Sequence, residues 1–197
     1  MKIVIATKNP GKLREIKEFL GPDFECVSLL DFEDSPDIEE TGTTFLENAV
    51  LKAKTCFEWS GLPSVADDGG LEIDYLNGEP GVKSRRWPGY EATDQELINL
   101  ALEKLSGVPW EKRTASLVSV GVFYDGKSIL RAVEKIKGFI TEDKASRFEK
   151  GYPFRAIFWL PEFKKLYQDL TKEEHEEINH RRKVFSKLAG MVKNLKP

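Results

Sequence analysis

Residues 2–20 read KIVIATKNPGKLREIKEFL. Ile3, Val4, Ile5 and Ala6 form a short apolar run of the kind a buried strand carries. The run stops at Thr7. Beyond Lys8, Asn9, Pro10, Gly11 and Lys12, the residues Leu13, Ile16, Phe19 and Leu20 recur on one helical face, and Gly21-Pro22 ends the helix. A strand that gives way to a helix through so short a turn exposes backbone N–H groups at the positive end of the helix dipole. Gly11 allows close approach to the backbone, Lys8 and Lys12 add charge, and Thr7 and Asn9 add hydrogen-bonding groups. That chemistry suits a phosphate chain. The spacing is not that of a Walker A loop, and a loop with solvated lysines is the other reading.

The same alternation of strand and helix continues. Residues 24–30 read as a second strand, and the acidic stretch DFEDSPDIEETG as irregular chain. Thr44 and Glu47 form a capping box opening a helix with Leu46, Ala49, Val50, Ala53 and Phe57 on one side, closed by Gly61 and Pro63. Ser64-Val65-Ala66 reads as strand, as does the alternation of Leu71, Ile73 and Tyr75. Thr93 with Glu96 and Thr171 with Glu174 open further helices, while Asp125-Gly126 joins strands 113–124 and 127–136 as a hairpin. Helices mixed with strands, one pair of them in a hairpin, indicate an α/β fold with a mixed central sheet and flanking helices.

The chain of 197 residues, 40% hydrophobic and 32% charged, suffices for one core or one core of two lobes, so residues 1–197 are read as a single domain. A net charge of −3 offers no basic footprint for nucleic acid or a membrane surface. Two cysteines, Cys26 and Cys56, make no disulfide framework, and reduced thiols in the cytoplasm are the expectation. No segment approaches the roughly 20 apolar residues of a membrane span.

Two further groups of residues carry chemistry. Asp67-Asp68-Gly69-Gly70 follows an apolar run, so its carboxylates are expected at a strand end, where clefts form in α/β sheets. Glu39-Glu40 lies in a segment able to fold back toward them. A few carboxylates completed by water and substrate phosphates describe a Mg²⁺ site; an ordinary Asp-Gly turn is the competing reading. The stretch INHRRK places His180, Arg181 and Arg182 on the last helix. His175, five residues earlier, lies about 140° around an ideal helix, which does not fit the four-residue spacing of a zinc protease. These are either donors to a base or phosphate or an exposed basic face. Trp87, Tyr152, Phe154 and Trp159 offer either a stacking surface or core.

Together these blocks resemble the inosine/xanthosine triphosphate pyrophosphatase family. ATKNPGKLREI is similar to its T-x-N-x-x-K signature, EETGTTFLENAVLKA to its second block and GLPSVADDGGLEID to its ADDSGL block. GEPGVKSRRW is similar to G-x-P-G-V-x-S-x-R, and INHRRK to its closing S-H-R, all in order from residue 2 to about 190. The resemblance implies two lobes around a deep nucleotide-binding cleft, usually in a homodimer. It implies Mg²⁺-dependent hydrolysis of an aberrant purine nucleoside triphosphate (ITP, dITP or XTP) to the monophosphate and pyrophosphate. By position it makes Asp68 the general base and a metal ligand, and Glu39 a second metal ligand. It puts Thr7, Asn9, Lys12 and Lys52 around the phosphates, and His180 and Arg181 at the base.

The chain departs from the family pattern in the half that reads the base. Where relatives have G-F-G-Y-D-P-I-F, this chain has Gly151-Tyr152-Pro153-Phe154-Arg155-Ala156-Ile157-Phe158. A carboxylate that only accepts hydrogen bonds has become a guanidinium that only donates. His175, Asn179 and Gly69 replace a lysine and two serines. The expectation is retained pyrophosphohydrolase chemistry, with Arg155 either re-targeting the base pocket or pointing to solvent. A nucleotide-binding protein without turnover and a partner-binding protein on an inherited fold are the readings from other classes.

Overall fold

The computed structural model describes residues 1–195. Among the described residues, five α-helices and seven strands follow one another as β1 (Lys2–Ile5), α1 (Pro10–Leu20), β2 (Glu25–Ser28), α2 (Phe45–Ser60), β3 (Ser64–Ile73), α3 (Asp94–Lys104), β4 (Thr114–Tyr124), β5 (Ile129–Ile140), β6 (Phe158–Leu160), β7 (Lys165–Leu166), α4 (Lys172–Ile178) and α5 (His180–Lys193). The strands form one mixed sheet in the order β2-β1-β3-β4-β5-β6-β7. β1 pairs in parallel with β2 and β3, whereas β6 pairs antiparallel with β5 and β7.

The helix starts follow from local chemistry. The side chains of Thr44, Thr93 and Thr171 accept from the N–H three residues on, and Glu47, Glu96 and Glu174 reach back to the cap, completing three capping boxes. Asn9 caps α1, with Pro10 at its first position, and Gly61 in the left-handed region ends α2.

Three sequence expectations are corrected. Asp67-Asp68-Gly69-Gly70 is neither a turn nor a strand end, because β3 runs unbroken from Ser64 to Ile73. Its pairing with β1 ends at Ile5↔Val65, so the aspartates lie just beyond the end of their neighbour. The last helix is two helices, since Asn179 adopts φ −53°, ψ 103° and breaks the chain between α4 and α5. His175 and His180 therefore share no helical face. The buried face of α2 comprises Phe45, Asn48, Ala49, Lys52, Ala53 and Cys56, rotated from the apolar stripe because two polar residues are buried. β6 and β7 were not foreseen: at three and two residues they are too short to show a period.

The chain divides into two compact units. One comprises residues 1–69 and 119–134 and the chain from His180; the other comprises 70–118 and 135–179. In the first, Ile3, Ile5, Val65 and Phe123 pack with Ile16 and Leu20 of α1 and Val184, Phe185 and Leu188 of α5. In the second, α3 and the 153–160 segment enclose a core of Leu71, Ile73, Leu97, Ile98, Phe154, Phe158 and Tyr167.

Arg113 ties the second unit together. It is 2% exposed, and its guanidinium donates to the carbonyls of Leu105 (2.7 Å), Ile140 (2.7 Å) and Thr141 (2.6 Å). The C-terminal end of α3 and the end of β5 thus share one cation, favourably placed at the negative end of the helix. Arg113→Met leaves these carbonyls without their donor and is expected to lower stability by about 3 kcal/mol, read from urea unfolding. A loss within about 0.5 kcal/mol, the range of ordinary surface substitutions, would contradict this role.

Candidate functional site

Successive residues of a strand face opposite sides, and β3 uses this to separate its two aspartates. Val65 packs in the core formed with α1 and α5, and Asp67 points the same way. Lys12 Nζ of α1 lies 2.8 Å from Asp67 Oδ2. Arg181 of α5 brings Nε to 3.5 Å from Asp67 Oδ1 and pairs through Nη1 with Glu15 of α1. On the other side Ser64 Oγ donates to the carbonyl of Ala53 in α2 (2.6 Å), and Asp68 meets Lys52, one residue earlier on that helix. Lys52 Nζ lies 3.5 Å from Asp68 Oδ1 and 2.6 Å from Glu40 Oε1.

Environment drives the two carboxyls apart. Burial opposes ionisation of Asp67, but Lys12, Arg181 and Lys52 outweigh it and hold its carboxyl well below the usual carboxylate range. Asp68 is pushed upward, first by burial and then by Glu40 and Asp67, against the pull of Lys52 and Lys12. For Lys52, burial disfavours the charge, yet Asp68, Glu40 and Asp67 prevail and raise its pKa. Asp67 is thus a fixed anion, and Asp68 is a carboxylate made more basic. Asp68 Oδ2 is buried without a hydrogen-bond partner.

The opening turn is more occupied than its sequence suggests. Asn9 Oδ1 accepts from the N–H groups of Gly11 (2.9 Å) and Lys12 (3.2 Å), and Asn9 N–H donates to Thr7 Oγ1 (3.1 Å). Lys8 lies outside, 3.7 Å from the exposed Asp37. Lys12 is turned inward onto Asp67. Gly69 follows Asp68 within β3, and His180 is buried at the first position of α5.

The remaining residues expected at the base belong to the second unit. Phe154 is core. The Arg155 guanidinium carbon sits 3.8 Å from the Tyr152 ring centroid and 5.0 Å from that of Tyr167, while Nη1 lies 2.7 Å from Glu149 Oε2. Tyr167 OH meets His175 Nε2 at 3.2 Å. Arg155 therefore neither points to solvent nor leaves its faces open: it is stacked on two tyrosines.

The sequence placed Glu39-Glu40 together in a segment able to fold back, and the resemblance made Glu39 a metal ligand; in the structure Glu39 is exposed and Glu40 is the one on Lys52. Consecutive side chains of extended chain point opposite ways, so only one of the pair can face α2. Glu15 was also missed. Its signal was modest: it lies three residues after Lys12, on the same face of α1.

The class these features define is an α/β protein with two carboxylates on adjacent residues of one central strand and cations brought to them from the flanking helices. The chain belongs to the Ham1 family, whose sequence profile matches residues 3–191. A dITP/XTP pyrophosphatase of Geobacillus kaustophilus is 43% identical over 189 residues, covering 95% of this chain and 92% of that protein. A dITP/XTP pyrophosphatase of Dictyoglomus thermophilum is 40% identical over 94% of this chain and 91% of its own. The structure of a HAM1 protein from Coxiella burnetii superposes with a TM-score of 0.88 at 34% identity, covering 99% of this chain and all of that one.

Proposed function

We propose that this protein is a metal-dependent nucleoside triphosphate pyrophosphohydrolase acting on deaminated purine nucleotides of the dITP and XTP type. One observation carries the reading: Asp68, a buried carboxylate with raised basicity and a bare Oδ2, beside Lys52 and Glu40. The names of the relatives supply the substrate class.

The residues present fit Mg²⁺. Among the described residues no three His, Cys, Asp or Glu side chains form a dedicated metal cage. Mg²⁺ is commonly held by one or two carboxylates, water and substrate phosphates. Asp68, with its unpartnered oxygen, and Glu40, rather than the exposed Glu39, would hold it. Bound with the nucleotide, it supplies positive charge to the phosphate oxygens and to the departing pyrophosphate.

The chain's own groups do the rest. Asp68 takes a proton from water as the water oxygen bonds to the α-phosphorus. The bond from that phosphorus to the α–β bridging oxygen breaks, and pyrophosphate leaves with the electron pair. Lys52 stays protonated and keeps both carboxylates oriented, and Asp67, clamped by Lys12 and Arg181, fixes the backbone from which Asp68 projects. Arg155 is held by Glu149 and two tyrosines, which supports the usual purine over a re-targeted base. A cytoplasmic homodimer without nucleic-acid or membrane partners is part of the proposal. It is supported by the family resemblance, the net charge of −3 and, among the described residues, the lack of any helix long and apolar enough to cross a membrane.

The test is a hydrolysis panel with Mg²⁺ and triphosphates of ordinary and deaminated bases, scoring pyrophosphate and orthophosphate separately. Pyrophosphate with a monophosphate, fastest from inosine, deoxyinosine and xanthosine triphosphates, is the expected result. Orthophosphate release, or preference for an ordinary base, would overturn it.

A further inference from the structure

The segment that carries Glu40 is irregular chain, yet Glu40 meets Lys52 at 2.6 Å. What holds it there lies in the first turn of α2. Asn48, 1% exposed, accepts the Gly42 N–H on Oδ1 at 2.8 Å. Beside it, Glu47 Oε2 accepts from Thr43 N–H (2.7 Å), Thr43 Oγ1 (2.7 Å) and Thr44 N–H (3.1 Å). The approach is too close for any side chain at position 42. A Cβ there would lie 2.6 Å from Asn48 Oδ1 and 2.7 Å from Glu47 Cβ.

The distances explain what this contact achieves. From Asn48 to Lys52 is four residues, about 6 Å of helix rise. From Gly42 back to Glu40 is two residues, about 7 Å of extended chain. Anchoring Gly42 at the level of Asn48 therefore brings Glu40 level with Lys52. We propose that Asn48 is a positioning residue: through the Gly42 backbone it docks the 39–43 segment on α2 and sets the Glu40 carboxylate on Lys52 beside Asp68. Gly42 is the other half of the device, because only glycine permits the approach. Asn48 touches no reacting atom. Its consequence for turnover rests on the proposed role of Glu40; its consequence for Lys52 does not.

The test therefore reads Lys52 first. Metal-free protein is treated briefly with an amine-acetylating reagent, and the labelling rate of Lys52 is followed by mass spectrometry in Asn48→Ala, Gly42→Ala, Glu40→Gln and the Asn48→Ala/Glu40→Gln pair. Loss of the Glu40 contact exposes the amine, so each single variant is expected to raise Lys52 labelling about fivefold or more while lysines elsewhere keep their rates. The double variant should label no faster than Glu40→Gln alone, since both changes undo one contact. Gly42→Ala leaves Asn48 in place and guards against a folding defect from the buried amide. Unchanged Lys52 labelling in Gly42→Ala or Asn48→Ala, or multiplied rates in the pair, would overturn the inference. Turnover of inosine triphosphate is measured on the same proteins. Full activity in Glu40→Gln would remove Glu40 from the proposed reaction and leave the labelling result to decide the role of Asn48.

Discussion

Asp68→Asn is expected to lose roughly 10²–10⁴-fold in kcat, the range for removal of a general base, and to melt at a higher temperature than the parent protein. The first effect follows from the proton. An amide of the same shape accepts hydrogen bonds but takes no proton from water at neutral pH. The second follows from burial, which comes first among the causes that raise the Asp68 pKa, and from the nearby carboxylates of Glu40 and Asp67. A pKa raised in the folded state means that the fold resists ionisation of that group. At low pH the carboxyl is neutral and costs nothing. As pH rises through the raised value, the folded state pays a free-energy cost that the unfolded chain does not. Asparagine removes that cost, so the gap in Tm between variant and parent should be widest near neutral pH. It should shrink as pH falls toward the ordinary value of 3.8. Such a trade of stability for activity is common where a site holds a group in an unfavourable state. Thermal melts across pH in metal-free buffer, with steady-state rates at saturating inosine triphosphate and Mg²⁺, check both halves. An unchanged kcat would remove Asp68 as the base. A lower Tm near neutral pH would mean that Lys52 depends on Asp68 more than burial opposes it.

The readable parts of this fold were those written in local chemistry. A threonine and a glutamate three residues on satisfy the same backbone donors wherever they occur, so three helix starts were legible at once. The apolar run at Ile3–Ala6 and the helical spacing of Leu13, Ile16, Phe19 and Leu20 likewise marked β1 and α1 without reference to the rest of the chain. What escaped was decided by distant partners. The α2 stripe was misphased because Asn48 and Lys52 are buried by contacts with Gly42, Glu40 and Asp68, and a hydropathy pattern places such residues outside. The paired aspartates looked like a turn because Asp and Gly favour turns. They stay in the strand because Lys12 and Arg181 more than offset the burial of Asp67, while Lys52 offsets part of that of Asp68. The break at Asn179 carries neither Pro nor Gly, so nothing in its composition marked it.

The site was legible as a set of residue types and less so as an arrangement. Lys12, Lys52, Asp68 and Arg181 do come together in the first unit. Tyr152, Arg155 and His175 gather around Tyr167 in the second, a tyrosine that no motif marked. Arg155 shows why. The change of charge at that position is visible in sequence, but Glu149, which absorbs it, lies six residues upstream in an irregular stretch that no periodicity describes.

Asp67→Asn is expected to cost about 3 kcal/mol of stability at neutral pH, the lower end of the range for breaking a buried ion pair by removing one partner. The Asp67 side chain is fully buried, and both of its carboxylate oxygens face cations: Lys12 on one and Arg181 on the other. An amide retains the shape but neutralises neither. Arg181 keeps Glu15, and Lys12 is 23% exposed and regains some water, which is why the lower end applies. The pH dependence distinguishes this from a packing defect. Because the folded-state pKa of Asp67 lies below its unfolded value of 3.8, the stabilisation is fully present above that value and is lost as pH falls through the folded one. The stability difference between parent and variant should therefore be constant from about pH 5 to 8 and narrow steadily below 3.8 as the parent's carboxyl is protonated. Urea unfolding at several pH values in metal-free buffer measures it directly. A gap that persists unchanged into acid would assign the loss to packing rather than to the anion. A gap near zero at neutral pH would mean that Glu15 alone satisfies the cations, leaving the low pKa of Asp67 without a stabilising role.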